Sequence, residues 1–224
     1  MDMLRHCAAI FDLDGVLVDT AKYHFLAWKR LAGALGIEFS ETDNERLKGV
    51  SRDESLRILL DVGGLQVSAT ERTALAEKKN RWYVERISQL DESDLLPGAS
   101  EYLTKLRAIG IPIALASASR NARTVLDRLK IAHFFSATVD GNQLSKAKPD
   151  PEIFLLAAAQ LGHKPAECVV FEDASAGIAA ALAAGMFAVG IGQPTALASA
   201  DLVVPDLAHC DIYQLFGDGI MGES

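Results

Sequence analysis

Cysteine is scarce in this 224-residue chain: Cys7, Cys168 and Cys210 form an odd, scattered set, two of them in or beside apolar runs. A reduced cysteine in such a run behaves as a small hydrophobe, so no disulfide framework is expected and a reducing compartment fits. The five histidines do not cluster with cysteines at zinc-site spacing. No stretch approaches the roughly 18 uninterrupted apolar residues of a membrane span. Residues 1–9 lack a long apolar segment ahead of a small-residue cleavage site. A soluble cytoplasmic protein with no membrane partner is expected. Basic charge is also in deficit, 22 Lys and Arg against 30 Asp and Glu for a net charge of −8. Such a field does not draw in nucleic acid or anionic membranes, so a phosphate ester would have to be held by a few local cations and a metal. Internal repeats and low-complexity tracts are absent.

Apolar side chains, by contrast, make up 50% of the chain, enough to bury a core without external staples. In the second half, residues 111–117, 168–171, 187–191 and 202–204 are near-continuous apolar runs of the kind buried on both faces of a parallel sheet. Helical patterns over 99–109, 121–129, 151–161 and 174–184 separate them, and this alternation predicts a doubly wound α/β core. A first strand over 8–13 belongs to the same pattern. Between residues 19 and 92 the periodicity is helical only: Tyr23, Trp28, Leu31 and Leu35 recur at helical spacing, Leu56, Leu59 and Leu60 mark a second stretch, and 69–90 reads as one long charged helix. An all-helical insertion into a Rossmann-like core is therefore expected, with the core at 1–18 and 94–224 and the insertion at 19–93. The chain would cross between them near 16–20 and 91–98, where Pro97-Gly98 has hinge composition. A last helix is expected around 212–216.

Chemistry concentrates at predicted strand ends. Asp12 and Asp14, in Ile10-Phe11-Asp12-Leu13-Asp14-Gly15, are two apart at the end of an apolar strand, and alternation points both the same way. They sit at the carboxyl edge, where open α/β sheets bind ligands. Ser117 closes a second run, followed by Ala118, Ser119, Arg120 and Asn121, a hydroxyl and amides before a helix suited to an anion. Lys148, stiffened by Pro149 and Pro151, supplies a point charge suited to phosphate. Glu172 and Asp173 follow a third run. Four carboxylates gathered at strand ends call for a hard cation such as Mg²⁺, which carboxylates, waters and phosphate bind. Taken singly, each feature is a common cap or surface charge.

In order and at strand ends, Asp12-x-Asp14, Ser117, Lys148 and Glu172-Asp173 resemble the four motifs of the haloacid dehalogenase superfamily. That resemblance implies an HAD fold with a helical cap and an aspartyl-phosphate mechanism. Asp12 would be the nucleophile and Asp14 the general acid/base. Mg²⁺ would be held by Asp12, the Asp14 carbonyl and Asp173, with Glu172 near it or bound to it. Ser117 and Lys148 would hold the transferring phosphoryl group. Phosphate monoester reactions can need accelerations near 10²¹, and one lysine about 4 Å from a phosphate oxygen supplies only roughly 4 kcal/mol at an effective dielectric of about 20. Metal and lysine together are required.

Within the insertion, Asp19-Thr20-Ala21-Lys22-Tyr23-His24-Phe25-Leu26-Ala27-Trp28 and Leu47-Lys48-Gly49-Val50-Ser51-Arg52 closely resemble β-phosphoglucomutases, as do residues 114–119 with Asn121 and residues 145–154. The resemblance runs from about residue 10 to 205. It implies an isomerase, an intramolecular phosphomutase interconverting β-D-glucose 1-phosphate and glucose 6-phosphate. It also implies sugar-phosphate binding by Thr20, His24, Trp28, Lys48, Gly49, Val50, Ser51, Arg52, Lys79, Ser117, Ala118, Ser119, Asn121 and Lys148. Arg52, at a helix start, suits a bidentate grip on the far phosphate. For Trp28 and His24 ordinary helix packing is the competing reading, and for Lys79 a solvated charge run. A capped sugar-phosphate phosphatase on the same scaffold is the alternative function, and a non-catalytic phosphosugar binder is a third. A monomer is expected, since the cap must swing.

Overall fold

The computed structural model describes residues 6–47 and 50–217. Six strands form one parallel sheet: β1 (Ala8–Phe11), β2 (Ile113–Ala116), β3 (Ala137–Val139), β4 (Cys168–Glu172), β5 (Phe187–Ile191) and β6 (Leu202–Val204), in the order β3-β2-β1-β4-β5-β6. Strands β1, β2 and β4 are buried along their whole length, which accounts for their unbroken apolar sequence. Strand β3 was not anticipated. It is three residues long, lies at the sheet edge and has Thr138 at its centre, so it lacks the unbroken apolar run that marked the others.

Helices α5 (Ala99–Ala108), α6 (Ala122–Arg128), α7 (Glu152–Leu161), α8 (Ser175–Ala183) and α9 (Ile212–Phe216) flank the sheet. Alternation along the strands sorts their side chains into two cores. Ala9, Phe11, Leu115, Phe171 and Val189 join α5, α6 and α9 on one face, while Ala8, Ile10, Ala114, Val170 and Ala188 join α7 and α8 on the other. On the first face Phe11 stacks on Phe171 at 4.4 Å, and Tyr102 meets both rings edge-on.

Between β1 and α5 the described residues contain no strand and form four α-helices: α1 (Ala21–Ala34), α2 (Glu41–Glu45), α3 (Arg52–Val62) and α4 (Ala69–Ile87). Trp28, Leu31, Leu56, Leu59 and Ala76 give them an apolar cluster of their own. The short α2 was not anticipated, since its sequence, ETDNE, buries nothing. It stands on a capping box, in which Ser40 and Asp43 satisfy each other's backbone amides. Serines 51 and 68 cap α3 and α4 in the same local manner.

The direction in which successive strands are added reverses between β1 and β4, although the strands themselves run parallel. From β1 the order runs outward through β2 and β3, and from β4 through β5 and β6. Phe11 is in register with Leu115 on one side and Phe171 on the other, so the residues that leave these three strands emerge together at one edge. That is the switch point at which open parallel sheets bind ligands.

Leu103, fully buried on α5 away from that edge, tests the main core. Leu103→Ala is expected to cost about 2–5 kcal/mol, read as a lower urea midpoint with an unchanged slope.

Candidate active site

Each chemical group arrives at the switch point for a local reason. Strand β1 ends at Phe11, two residues earlier than the sequence suggests, so Asp12 leaves the strand end while Asp14 sits in the following tight turn. That turn is closed by Gly15 Nα donating to the Val18 carbonyl at 2.9 Å. Gly15 has φ 76°, and a Cβ there would overlap the Asp173 carboxylate, so glycine is required twice over. Gly177 plays the same steric part for Glu172. Asp12 and Asp14 do converge on one pocket, through the turn rather than through strand alternation.

Lys148 is the electrostatic centre. Its Nζ donates to Asp12 Oδ1 and to Glu172 Oε2, each at 2.7 Å, with the side chain 1% exposed. Burial works against its charge, but Asp12 and Glu172 outweigh it and hold the ammonium above its ordinary range. Burial pushes Glu172 upward against the pull of Lys148. Asp173 is driven well above the usual carboxylate range, first by burial and then by Glu172, Asp12 and Asp14. Asp14 faces the enclosed pocket; burial, then Asp12, push it up to about 8, against the pull of Lys148 and Lys79. A carboxyl held there is protonated at neutral pH and can donate a proton.

Oxygens of Asp12, Glu172 and Asp173 lie within 4.8 Å of one another. The donors are hard and anionic, and one lysine cannot neutralise them. This set fits a divalent cation.

On the helical side, Lys79 is buried to 1% exposure, so the sequence reading of a solvated charge run does not hold. It lies 2.7 Å from His24 Nδ1, over the Trp28 ring at 4.5 Å. Burial, then Arg52, lower its affinity for a proton well below that of an ordinary lysine. Burial, then Lys79 and Arg52, likewise keep His24 neutral. Trp28 packs in the helical cluster and also borders the pocket, so both readings of it hold. Arg52 enters the pocket half-buried. Desolvation, then the neighbouring Arg120, depress its pKa, and Asp53 partly offsets them.

Two contacts join the helices to the loop after β2. Arg120 Nη2 donates to Asp53 Oδ2 at 2.8 Å, and Asn121 Nδ2 donates to Asn80 Oδ1 at 2.8 Å.

One pocket therefore gathers Asp12, Asp14, His24, Trp28, Val50, Arg52, Lys79, Ser117, Ala118, Ser119, Asn121 and Asp173 from the expected set. Lys148 and Glu172 stand behind Asp12 rather than in the wall, and Thr20 hydrogen-bonds Asp14 Oδ1. Ser51 accepts from the Glu54 amide at 3.2 Å as the cap of α3 and does not border the pocket. Lys48 and Gly49 lie outside the described residues. Unforeseen in the wall are Ala21, Asn44, Leu47, Ser55 and Arg120. Ser55 follows Arg52 by one helical turn, a spacing that could have revealed it. Asn44 belongs to the unanticipated α2.

The model of the haloacid dehalogenase-like hydrolase family matches residues 8–185. The chain belongs to this haloacid dehalogenase family. Within it, the chain is 53% identical over 199 residues to a β-phosphoglucomutase of Bacillus subtilis, covering 88% of each. A crystal structure of β-phosphoglucomutase from Clostridium difficile superposes with a TM-score of 0.92 at 41% identity, covering 95% of this chain and 96% of that one. A phosphorylated carbohydrates phosphatase of Thermotoga maritima is 36% identical, covering 80% of this chain and 82% of its own. The six-stranded parallel sheet with flanking helices is thus a haloacid dehalogenase fold. No described helix is long and apolar enough to cross a membrane.

The repulsion at the carboxylates generates a ligand-dependent stability. Millimolar divalent cation is expected to raise the melting temperature, following RT ln(1 + [L]/Kd). Asp173→Asn is expected to lose most of that rise while folding normally, both read by thermal scans with and without chelator.

Proposed function

We propose that this chain is a β-phosphoglucomutase, an isomerase interconverting β-D-glucose 1-phosphate and D-glucose 6-phosphate. The route runs through an aspartyl phosphate on Asp12 and β-D-glucose 1,6-bisphosphate. The observation that carries this reading is one pocket holding two kinds of phosphate site. It contains the Asp12–Asp14 pair at the sheet edge together with the mutually repelling guanidiniums of Arg52 and Arg120. Likeness to the Bacillus enzyme over most of both chains supports it. A mutase must grip the far phosphate while the near end reacts, and a pair of guanidiniums suits that dianion.

Asp12 forms the P–O bond to its carboxylate as the sugar oxygen leaves. Lys148 engages one Asp12 oxygen and leaves the other for attack. Asp14 delivers its proton to the departing oxygen. In the second half-reaction it takes a proton from the hydroxyl that attacks the aspartyl phosphate. Ser117 and the amides after it bind the transferring phosphoryl oxygens. Arg52, Arg120, Ser119 and Asn121 bind the distal phosphate, and His24, Lys79, Lys48, Gly49 and Val50 surround the sugar. Mg²⁺, held by Asp12, the Asp14 carbonyl and Asp173 with Glu172 beside it, supplies charge neutralisation when bound.

We assign residues 1–18 and 94–224 to the catalytic core and 19–93 to the cap, which opens to let the bisphosphate reorient. The protein is read as a cytoplasmic monomer of carbohydrate metabolism. Sugar-phosphate hydrolysis is the second reading, favoured by the likeness to the Thermotoga phosphatase.

A coupled assay on β-glucose 1-phosphate with Mg²⁺ and a trace of glucose 1,6-bisphosphate separates the two. Rapid glucose 6-phosphate with little free phosphate is expected; stoichiometric free phosphate would transfer the function to a phosphatase. Arg52→Ala is expected to lower kcat/KM for glucose 1-phosphate by roughly two orders of magnitude, as for other buried charge contacts. Phosphorylation of Asp12 by acetyl phosphate, which has no distal phosphate, is expected to survive. An equal loss in both would remove the distal clamp.

A further inference from the structure

Tyr83 does not border the pocket, yet its hydroxyl is buried one step from the chemistry. It lies on α4, fully buried, with its ring 3.9 Å from that of His24. The hydroxyl is 3.2 Å from Thr20 Oγ1, and Thr20, itself without exposure, is hydrogen-bonded to Asp14 Oδ1. From the core side the Ser119 side chain lies close enough to the phenol to lower its pKa against the effect of burial. Ser119 Oγ in turn accepts the Asn121 amide proton at 3.2 Å. A phenylalanine would fill the same space. A buried hydroxyl costs free energy unless it is hydrogen-bonded, so what tyrosine adds here is its hydrogen-bonding.

Proton counting gives these contacts a direction. Thr20 has one hydroxyl proton. Once that proton is given to Asp14 Oδ1, Thr20 Oγ1 can only accept from Tyr83, so the phenol donates to it. With the phenol donating, Thr20 could accept from Asp14 as well only by turning its own hydroxyl proton away from Oδ1. Asp14 Oδ2 is then the oxygen left free to exchange a proton with the substrate.

We infer that Tyr83 is a positioning residue for the general acid/base, its hydroxyl fixing Thr20 as a donor to Asp14 Oδ1 and reserving Oδ2 for the substrate oxygen. The inference rests on the reading of Asp14 as that acid/base. It also joins three elements, because the phenol belongs to the cap helix, Thr20 to the connection out of the core, and Ser119 to the loop assigned to the distal phosphate.

Tyr83→Phe keeps the ring and removes only the donor. Two donors are compared. Glucose 1,6-bisphosphate has an alkoxide leaving group that needs a proton, whereas acetyl phosphate expels acetate, which does not. About a tenfold fall in kcat with sugar phosphates is expected, with KM within twofold, the scale of one lost hydrogen bond. The rate of Asp12 phosphorylation by acetyl phosphate is expected to stay within twofold. Thr20→Val/Tyr83→Phe is expected to be no worse than Thr20→Val alone, since both act through one contact. Unchanged sugar-phosphate turnover in Tyr83→Phe would overturn the inference. So would an equal loss with both phosphoryl donors, or additive losses in the double variant. If the unaltered chain releases phosphate instead of forming glucose 6-phosphate, the mutase reading fails separately. The same comparison, made on hexose-phosphate hydrolysis, then decides the role of Tyr83.

Discussion

Everything at the sheet edge depends on Lys148. Parallel strands that end at one switch point bring the residues at their ends together whatever their charge, and here four of those residues, Asp12, Asp14, Glu172 and Asp173, are carboxylates. A single ammonium donating to Asp12 and Glu172 at 2.7 Å holds two of them in place. Breaking a buried arrangement of this kind leaves uncompensated charge and costs about 3–5 kcal/mol, more than most core truncations of one or two methyl groups. Asp173 and Asp14 are left outside the pairing; burial first, and then the neighbouring carboxylates, raise their proton affinities against the pull of Lys148. One lysine therefore sets where a cation is wanted.

Much of this was legible in the sequence because it is local or periodic. The unbroken runs at 168–171 and 187–191 became β4 and β5 because strands buried on both faces need no polar alternation. Asp12, Ser117, Glu172 and Asp173 were found because they follow such runs, and Lys148 because Pro149 and Pro151 flank it just before a helix. The missing pieces lacked that signal. Strand β3 is interrupted by Thr138 and α2 buries nothing, so neither carries the apolar signal that marked the equally short β6 and α9, and with α2 went Asn44. Lys79 was misleading in isolation, lying in a Glu-Lys-Lys run, because only tertiary packing over Trp28 and beside His24 buries it. Sequence spacing also suggested that Asp12 and Asp14 share a strand face. They meet instead through a glycine turn, which matters because that turn leads directly into the helical insertion.

The loop after β2 has a double engagement. Arg120 and Asn121 hold Asp53 and Asn80 across the boundary with the helices, and both also border the pocket. An exposed ion pair such as Arg120–Asp53 contributes at most about 1 kcal/mol. A phosphate dianion arriving there competes for the same donors at little energetic cost. A ligand in the pocket and the seating of the helices would thus draw on one set of groups, so the seating can respond to what the pocket holds.

The sheet register also constrains how the chain is made. Strand β1 is synthesised first, yet both of its neighbours come from far along the chain, Ala9 pairing with Ile113 and Ala8 with Cys168. Until β4 has left the ribosome, the central strand has an unpaired edge and an apolar surface. The helices from α1 to α4, by contrast, are contiguous and own an apolar cluster that can close early. Order of assembly is therefore inverted relative to order of chemistry. The helical insertion can take shape during translation, while the strand that leads into Asp12 waits as an aggregation-prone segment for its last partner.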